Sequence, residues 1–340
     1  MRRPSGVLLS VITLVLMAGV AGCGGGISAL QTPPDMLAAA MDASENMNSA
    51  TGTFQLDMLV HIDSSDLPSE DLGMLGIFKN PITASGTLSF SSEAQAADVD
   101  VTLASSGVTF NLGLRFLQEN IWLRVFNQWY DMTPLLEETM GDDAALWEER
   151  YDPEDMKELL ARLGVDPVDW LEDSTMVGQE DLAGRDVYHL ACAPDLAVML
   201  RDVIRLLQNR EFMDLVDPTG SLLEAMGTGM PTPADIAEIE HQIPKVFRDL
   251  TLDLWIDKSD AMLRQAEAYA NIVPPAEEGF EGLAGLELTM TVSLDDINKP
   301  VDISAPESFL PYTDLEDMFG GDSGMQLPFM EGLQGVDLLQ

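Results

Sequence analysis

Between residues 53 and 62 every second side chain is apolar. Phe54, Leu56, Met58, Val60 and Ile62 alternate with Thr53, Gln55, Asp57 and His61. A period of two puts the two sets on opposite sides of an extended chain, so the run predicts a half-buried strand. The pattern recurs down the chain. Val99, Val101 and Leu103 alternate with Asp98, Asp100 and Thr102, and Val108, Phe110, Leu112, Leu114 and Phe116 follow the same rule. Leu250, Leu252, Leu254 and Ile256 alternate with Thr251, Asp253, Trp255 and Asp257. Leu286, Leu288, Met290, Val292 and Leu294 alternate with Glu287, Thr289, Thr291 and Ser293. Residues 86–90, 175–180, 186–191 and 262–272 add further strands. Residues 120–132 read as one strand carrying Trp122, Phe126, Trp129 and Tyr130. Short connections between these runs imply antiparallel pairing. Such a chain is committed to a sheet with one apolar and one watered face, and the apolar face needs a cover.

Helical spacing supplies that cover. Met36, Leu37, Ala40 and Met41 form a stripe over residues 35–48, after Pro34 and before Gly52. Two helical excursions interrupt the strands, at about residues 134–173 and 194–244. The first carries Met156, Leu159, Leu160 and Leu163, and the second Leu196, Met199, Leu200, Val203, Ile204 and Leu207. A long antiparallel sheet also curls. The expected fold is therefore α+β. It is a curled antiparallel sheet, or open half-barrel, over residues 35–310, with helices packed on its concave apolar face. Residues 311–340, rich in Gly, Met and Asp, read as a poorly ordered tail.

The N-terminus carries a different signal. Arg2 and Arg3 precede an apolar run from Val7 to Met17, which leads to Val20-Ala21-Gly22-Cys23. This is the layout of a secretory signal, and a Cys directly after the small residues makes it a bacterial lipobox. Residues 1–22 are expected to be removed. Cys23 is then the lipid-bearing first residue (palmitate or a similar acyl chain), followed by a glycine-rich tether over residues 23–34. The expected location is the extracytoplasmic side of the cell membrane, in the envelope or periplasm. The chain has 17 basic and 58 acidic residues, a formal net charge of −41. That balance argues against nucleic-acid binding and against attraction to anionic headgroups, so anchorage falls to Cys23. Cys192, the only other cysteine, reads as a small buried hydrophobe.

No motif specifies a reaction. Gly321-Asp322-Ser323-Gly324 matches the tetrapeptide around a serine-protease nucleophile, but His61, His189 and His241 have no matching context. The pairs Asp98 with Asp100 and Asp295 with Asp296 lack an EF-hand loop. The expectation is no enzyme, no metal and no cofactor. Among the twenty methionines, Met58, Met199, Met262 and Met290 fall on apolar stripes, where a flexible thioether suits either core filling or variable apolar partners.

The order of these features resembles a known family. After the lipobox come an amphipathic helix and a meander with a Trp-rich strand. Then follow Gly178-Gln179-Glu180, Ala183-Gly184-Arg185-Asp186-Val187-Tyr188-His189-Leu190, Leu254-Trp255-Ile256-Asp257 and Asn298-Lys299-Pro300-Val301-Asp302-Ile303 with Pro306. This is similar to the LppX/LprG-type lipoproteins and, more distantly, to the LolA/LolB lipoprotein carriers. The resemblance implies a half-barrel with an apolar cavity that shields acyl chains during transport. The expected groove residues are Phe54, Met58, Val60, Phe110, Leu112, Leu252, Leu254, Leu288 and Met290, with Leu200, Ile204 and Leu207 as a lid. The expected partners are the membrane and a lipid or other apolar ligand. The alternative is a structural or sensory envelope module with a filled core that docks a protein. If Cys23 carries the anchor, Cys23→Ser abolishes incorporation of labelled palmitate and moves the chain from the detergent to the aqueous phase of a Triton X-114 partition.

Overall fold

A computed structural model describes residues 32–62, 80–135, 153–171, 173–216, 233–273 and 283–320. The elements run in chain order as α1 (Pro33–Glu45), β1 (Ser49–Ile62), β2 (Ile82–Ser91), β3 (Ala96–Ser105), β4 (Val108–Leu117), β5 (Asn120–Val125) and β6 (Gln128–Asp131). Then come α2 (Pro153–Leu163), a 3-10 turn (Asp169–Leu171), β7 (Ser174–Leu182), β8 (Arg185–Cys192), α3 (Leu196–Leu207), α4 (Arg210–Val216) and α5 (Pro233–Val246). The last elements are β9 (Phe247–Asp257), β10 (Leu263–Ile272), β11 (Leu283–Asp295), β12 (Leu310–Pro311) and α6 (Tyr312–Gly320). All twelve strands join one sheet in the order β12-β6-β5-β4-β3-β2-β1-β11-β10-β9-β8-β7. Among the described strands only β12 pairs in parallel, with β6. The outer strands β12 and β7 do not pair with each other, so the curled sheet is an unclosed α+β half-barrel.

Local chemistry explains the turns. Ser106-Gly107, Phe126-Asn127 and Ala183-Gly184 each have positive φ at both residues. That is the twist-matched geometry of two-residue hairpins. The second of these divides the single strand expected over residues 120–132 into β5 and β6. Asn127 tolerates the left-handed region well, but an aromatic at Phe126 (φ 49°) does not, so nothing in the sequence marks that turn strongly. The weak strand expected over residues 86–90 extends over all of β2 because both β1 and β3 pair along its length.

Helix α1 begins at Thr32, whose Oγ1 accepts from the Asp35 N–H at 3.4 Å, with prolines in the first two helical positions. Its buried Met36, Leu37 and Ala40 pack on Leu190, Cys192, Leu254 and Ile256 of β8 and β9. Ala39 and Ala43 close over Ala261 and Met262. Helices α2, α3 and α4 bury their stripes chiefly on one another, joining Leu159, Val165, Trp170, Met199, Leu206, Phe212 and Met213. Asp202 is buried among them, accepting from Trp170 Nε1 at 3.0 Å and pairing with Arg205 at 3.0 Å. The excursions are thus partly a helical layer with its own core.

The chain beyond Pro311 departs from expectation. Residues 312–320 form α6, and Leu315 is buried against Val125 and Tyr130. Residues 301–311 lead to it around the sheet edge. Arg115 Nη1 donates to the Ser304 carbonyl at 2.8 Å, and Phe309 meets Trp122 at 6.2 Å between ring centroids. Anchored at that edge, the first part of the expected tail is ordered. Residues 321–340, including Ser323, lie outside the described residues, as do residues 1–31 with Cys23.

One glycine is required by close approach. A Cβ at Gly86 would lie 1.8 Å from the Asp100 carbonyl oxygen and 2.8 Å from the Phe54 ring. Gly86→Ala is therefore expected to destabilise the fold by about 1–3 kcal/mol, as overpacking typically does. Urea midpoints of the two chains check this.

Candidate functional site

Strand register turns the separate alternating runs into one surface. Phe54 on β1 lies opposite Val292 of β11 and Gly86 of β2. Gly86 faces Val101, and Val101 faces Leu112 of β4. On the other side Val292 faces Ala266, Ala266 faces Leu254, and Leu254 faces Leu190. A second row runs through Phe110, Leu103, Ala84, Leu56, Met290, Ala268, Leu252 and Cys192. In a third, Met58 sits between Ile82 and Leu288. Because side chains alternate strictly, these rows share one face of the sheet.

The described helices cover only the ends of this face. α1 lies over β8 and β9 at one end, and α6 touches β4, β5 and β6 through Leu315 at the other. Between them Phe54, Leu56, Met58, Val60, Leu288 and Met290 are half-buried. Toward β4 the face opens further, with Val108 52%, Phe110 46% and Leu114 49% exposed. On β10 the face is floored by Ala266, Ala268 and Ala270 between taller leucine, methionine and valine side chains. An open depression of about 380 Å³ lies at one end of the face, lined by Phe90, Ser91, Ser92, Gln95, Ala96, Ala97 and Phe116.

Most of the expected groove residues share this surface. Met58 and Leu288 are direct cross-strand partners, Met290 lies opposite Leu56, and Phe110 and Leu112 stand on β4, three strands from β1. Leu254 differs: it is buried in the α1 core and presents nothing to a ligand, with Leu252 packed beside it. Of the residues expected as a lid, Ile204 is buried, Leu200 is half-buried and Leu207 packs on the helical cluster. Met199 and Met262 are likewise core residues. Phe90, Ala97 and Phe116, which line the depression, lie outside the expected groove set although the alternation of β2–β4 runs on through them.

The opposite face carries the charged side chains. Asp98 holds Arg115 in a two-pronged pair at 2.9 and 2.8 Å, and Asp100 holds Arg124 at 2.5 Å. Both guanidinium groups lie over Trp129, at 4.9 and 5.2 Å from the ring centroid. Each of these aspartates is thus paired with an arginine of another strand. Asp296 pairs with Lys299 at 2.6 Å. His61 pairs with Glu287 on β11, three strands from the position of His189, so the two histidines do not meet. Among the described residues no group of three or more His, Cys, Asp or Glu side chains is arranged to hold a metal ion. Burial pushes the Cys192 thiol up to about 12, which makes it unreactive. Asp257 is buried too. Burial opposes its ionisation, but hydrogen bonds from Ser259 and the Arg264 guanidinium outweigh that and hold its carboxyl below the usual range.

His189 joins the three strands at the β7 edge. It contacts Glu180 of β7 at 2.9 Å and Asp253 of β9 at 2.7 Å, and stacks on Trp255 at 4.4 Å. Burial works against its charge, but hydrogen bonds to Asp253 and Glu180 prevail and raise its pKa above the ordinary value of 6.5. A raised pKa stabilises the fold fully below the unfolded value, and this contribution is lost as pH rises through the folded value. Stability is therefore expected to fall from pH 6.5 upward, and His189→Gln to flatten that slope. Thermal melts from pH 6 to 9 measure it.

Comparison with known proteins gives only distant likenesses. No family model and no curated protein matches the chain. Among solved structures it is similar to the Mycobacterium tuberculosis lipoprotein LppX, at 12% identity over 80% of this chain and 100% of that one, with a TM-score of 0.33. It is also similar to LprF from Mycobacterium bovis, at 13% identity over 81% and 97% of the two chains and a TM-score of 0.34. A putative outer membrane lipoprotein-sorting protein domain from Vibrio parahaemolyticus is similar at 8% identity over 80% and 93%, with a TM-score of 0.20. At these values the functional conclusion rests on the chain's own residues.

Proposed function

We propose that this chain is a lipid-anchored lipoprotein of the extracytoplasmic membrane surface that binds acyl chains on the apolar face of its sheet. One observation carries the reading: register joins Phe110, Leu103, Ala84, Leu56 and Met290 into a continuous apolar band, and the described helices cover only its two ends. A face of that extent on a soluble body marks an interaction site. Burying an acyl chain there yields about 0.8 kcal/mol per methylene. The half-buried methionines Met58 and Met290 adapt to chains of varied shape. The chemistry needs no catalytic group, because transfer of an intact lipid breaks no covalent bond. Cys23 would hold the opening near the bilayer, since so acidic a chain, of net charge −41 over its full length, gains no attraction from anionic headgroups.

Lipid extraction and mass spectrometry of the chain purified from its membrane test this. An acyl lipid is expected to copurify. Met58→Asp and Leu288→Asp, which place charges side by side on the face, should reduce the amount at least about tenfold, the consequence of leaving a charge desolvated beneath a ligand. Consistent absence of lipid from the parent chain sinks the proposal and favours a face that docks a protein.

A further inference from the structure

The apolar face ends at a corner built from two uncharged hairpin tips. The β3–β4 hairpin turns at Ser106-Gly107 and the β5–β6 hairpin at Phe126-Asn127. Residues 101–114 and 125–130 contain no Asp, Glu, Lys or Arg, in a chain of which 22% is charged. Val108, Phe110 and Phe126 are 52%, 46% and 53% exposed there, and the rings of Phe110 and Phe126 meet at 6.1 Å. Around them stand Thr109, Asn111, Asn127 and Gln128, which hydrogen-bond without charge. Phe126 is held at φ 49°, a conformation a bulky side chain rarely adopts, and its ring is still left in water.

We propose that these two hairpin tips form the membrane-entry rim of the protein, inserting Phe126, Phe110 and Val108 into the interfacial layer of a neutral lipid bilayer. The inference rests on the reading of the apolar face as an acyl-chain site. The charge pattern selects the occupant. An acidic or basic protein partner would be met by complementary charge, and none lies within these segments, whereas a zwitterionic headgroup layer has no net charge to match and is met by apolar anchors with hydrogen-bonding neighbours. Aromatic rings favour that layer because it is half apolar. The geometry also supplies a path. Phe110 lies at the start of the row that continues through Leu103, Ala84 and Leu56, so an acyl chain leaving the bilayer at the rim meets apolar surface at each step toward β1.

The test places one environment-sensitive fluorophore on the full chain through Phe126→Cys or, separately, Val108→Cys, with Thr87→Cys on the opposite face as control. Cys23→Ser is included in each, and buried Cys192 does not react. The chains are reconstituted with phosphatidylcholine vesicles containing brominated acyl chains. Probes at residues 126 and 108 are expected to shift to the blue and lose roughly half their intensity, as interfacial insertion brings them to the acyl boundary. The probe at residue 87 should do neither. Adding Phe126→Asp to the Val108→Cys chain should abolish that quenching. Unquenched probes at both rim positions overturn the proposal. Binding of a lysophosphatidylcholine below its micellar concentration is measured alongside. If it binds while the rim probes stay silent, the rim falls and the apolar-face reading stands. If the rim is quenched and no lysolipid binds, membrane insertion is supported and the acyl-chain site falls.

Discussion

Everything in this molecule depends on strand register. Each strand has one apolar parity, and a slip of one residue would turn its whole apolar set to the polar side. The pairings keep the parities in phase from β4 to β8: Leu112, Val101, Gly86, Phe54, Val292, Ala266, Leu254 and Leu190 stand in one line. Charge pairs on the other face favour the same register. Asp98 meets Arg115 directly across β3 and β4, and His189 meets Asp253 across neighbouring strands. Such partly exposed pairs add little stability individually. Their value is in specificity, because a slipped register would bring those charges onto the apolar side.

That division of labour explains what could be read from the sequence. The strands of strict alternation, β1, β3, β4, β9 and β11, were legible because a period of two is a local property. So was α1, through its prolines and its Met36–Ala40 stripe. The hairpin at Phe126-Asn127 was not, because its aromatic residue disfavours the conformation it adopts and only tertiary pairing enforces it. The helix at Tyr312–Gly320 was obscured by a composition that reads as tail. Its order depends on Leu315 finding Val125 and Tyr130, a contact far apart in sequence.

The site was legible in kind and less so in detail. Parity placed Met58, Leu288 and Met290 on one surface. It could not say which stretch of that surface a helix would claim. Leu254 has the same alternation as Leu288, yet α1 covers the one and the other stays half-buried. Likewise the helical stripe containing Leu207 could have closed over the sheet or over other helices, and periodicity is the same in both cases. It closes over α2 and α4. Choosing a partner for an apolar stripe is a long-range decision that local pattern does not encode.

The strong acidity has a physical role alongside this open face. An apolar surface that stays accessible to a ligand is also accessible to a second copy of the chain. A net charge of −41 opposes that encounter at distances within the reach of salt screening. On the described strands, Asp98, Asp100 and Asp253 stand on the polar side, where they cost the apolar face nothing. The hairpin segments 101–114 and 125–130, which contain no charged residue, add nothing of their own to that repulsion. On the proposed reading, repulsion over the body and the lack of charge in these hairpin tips favour approach of a neutral apolar partner from that corner.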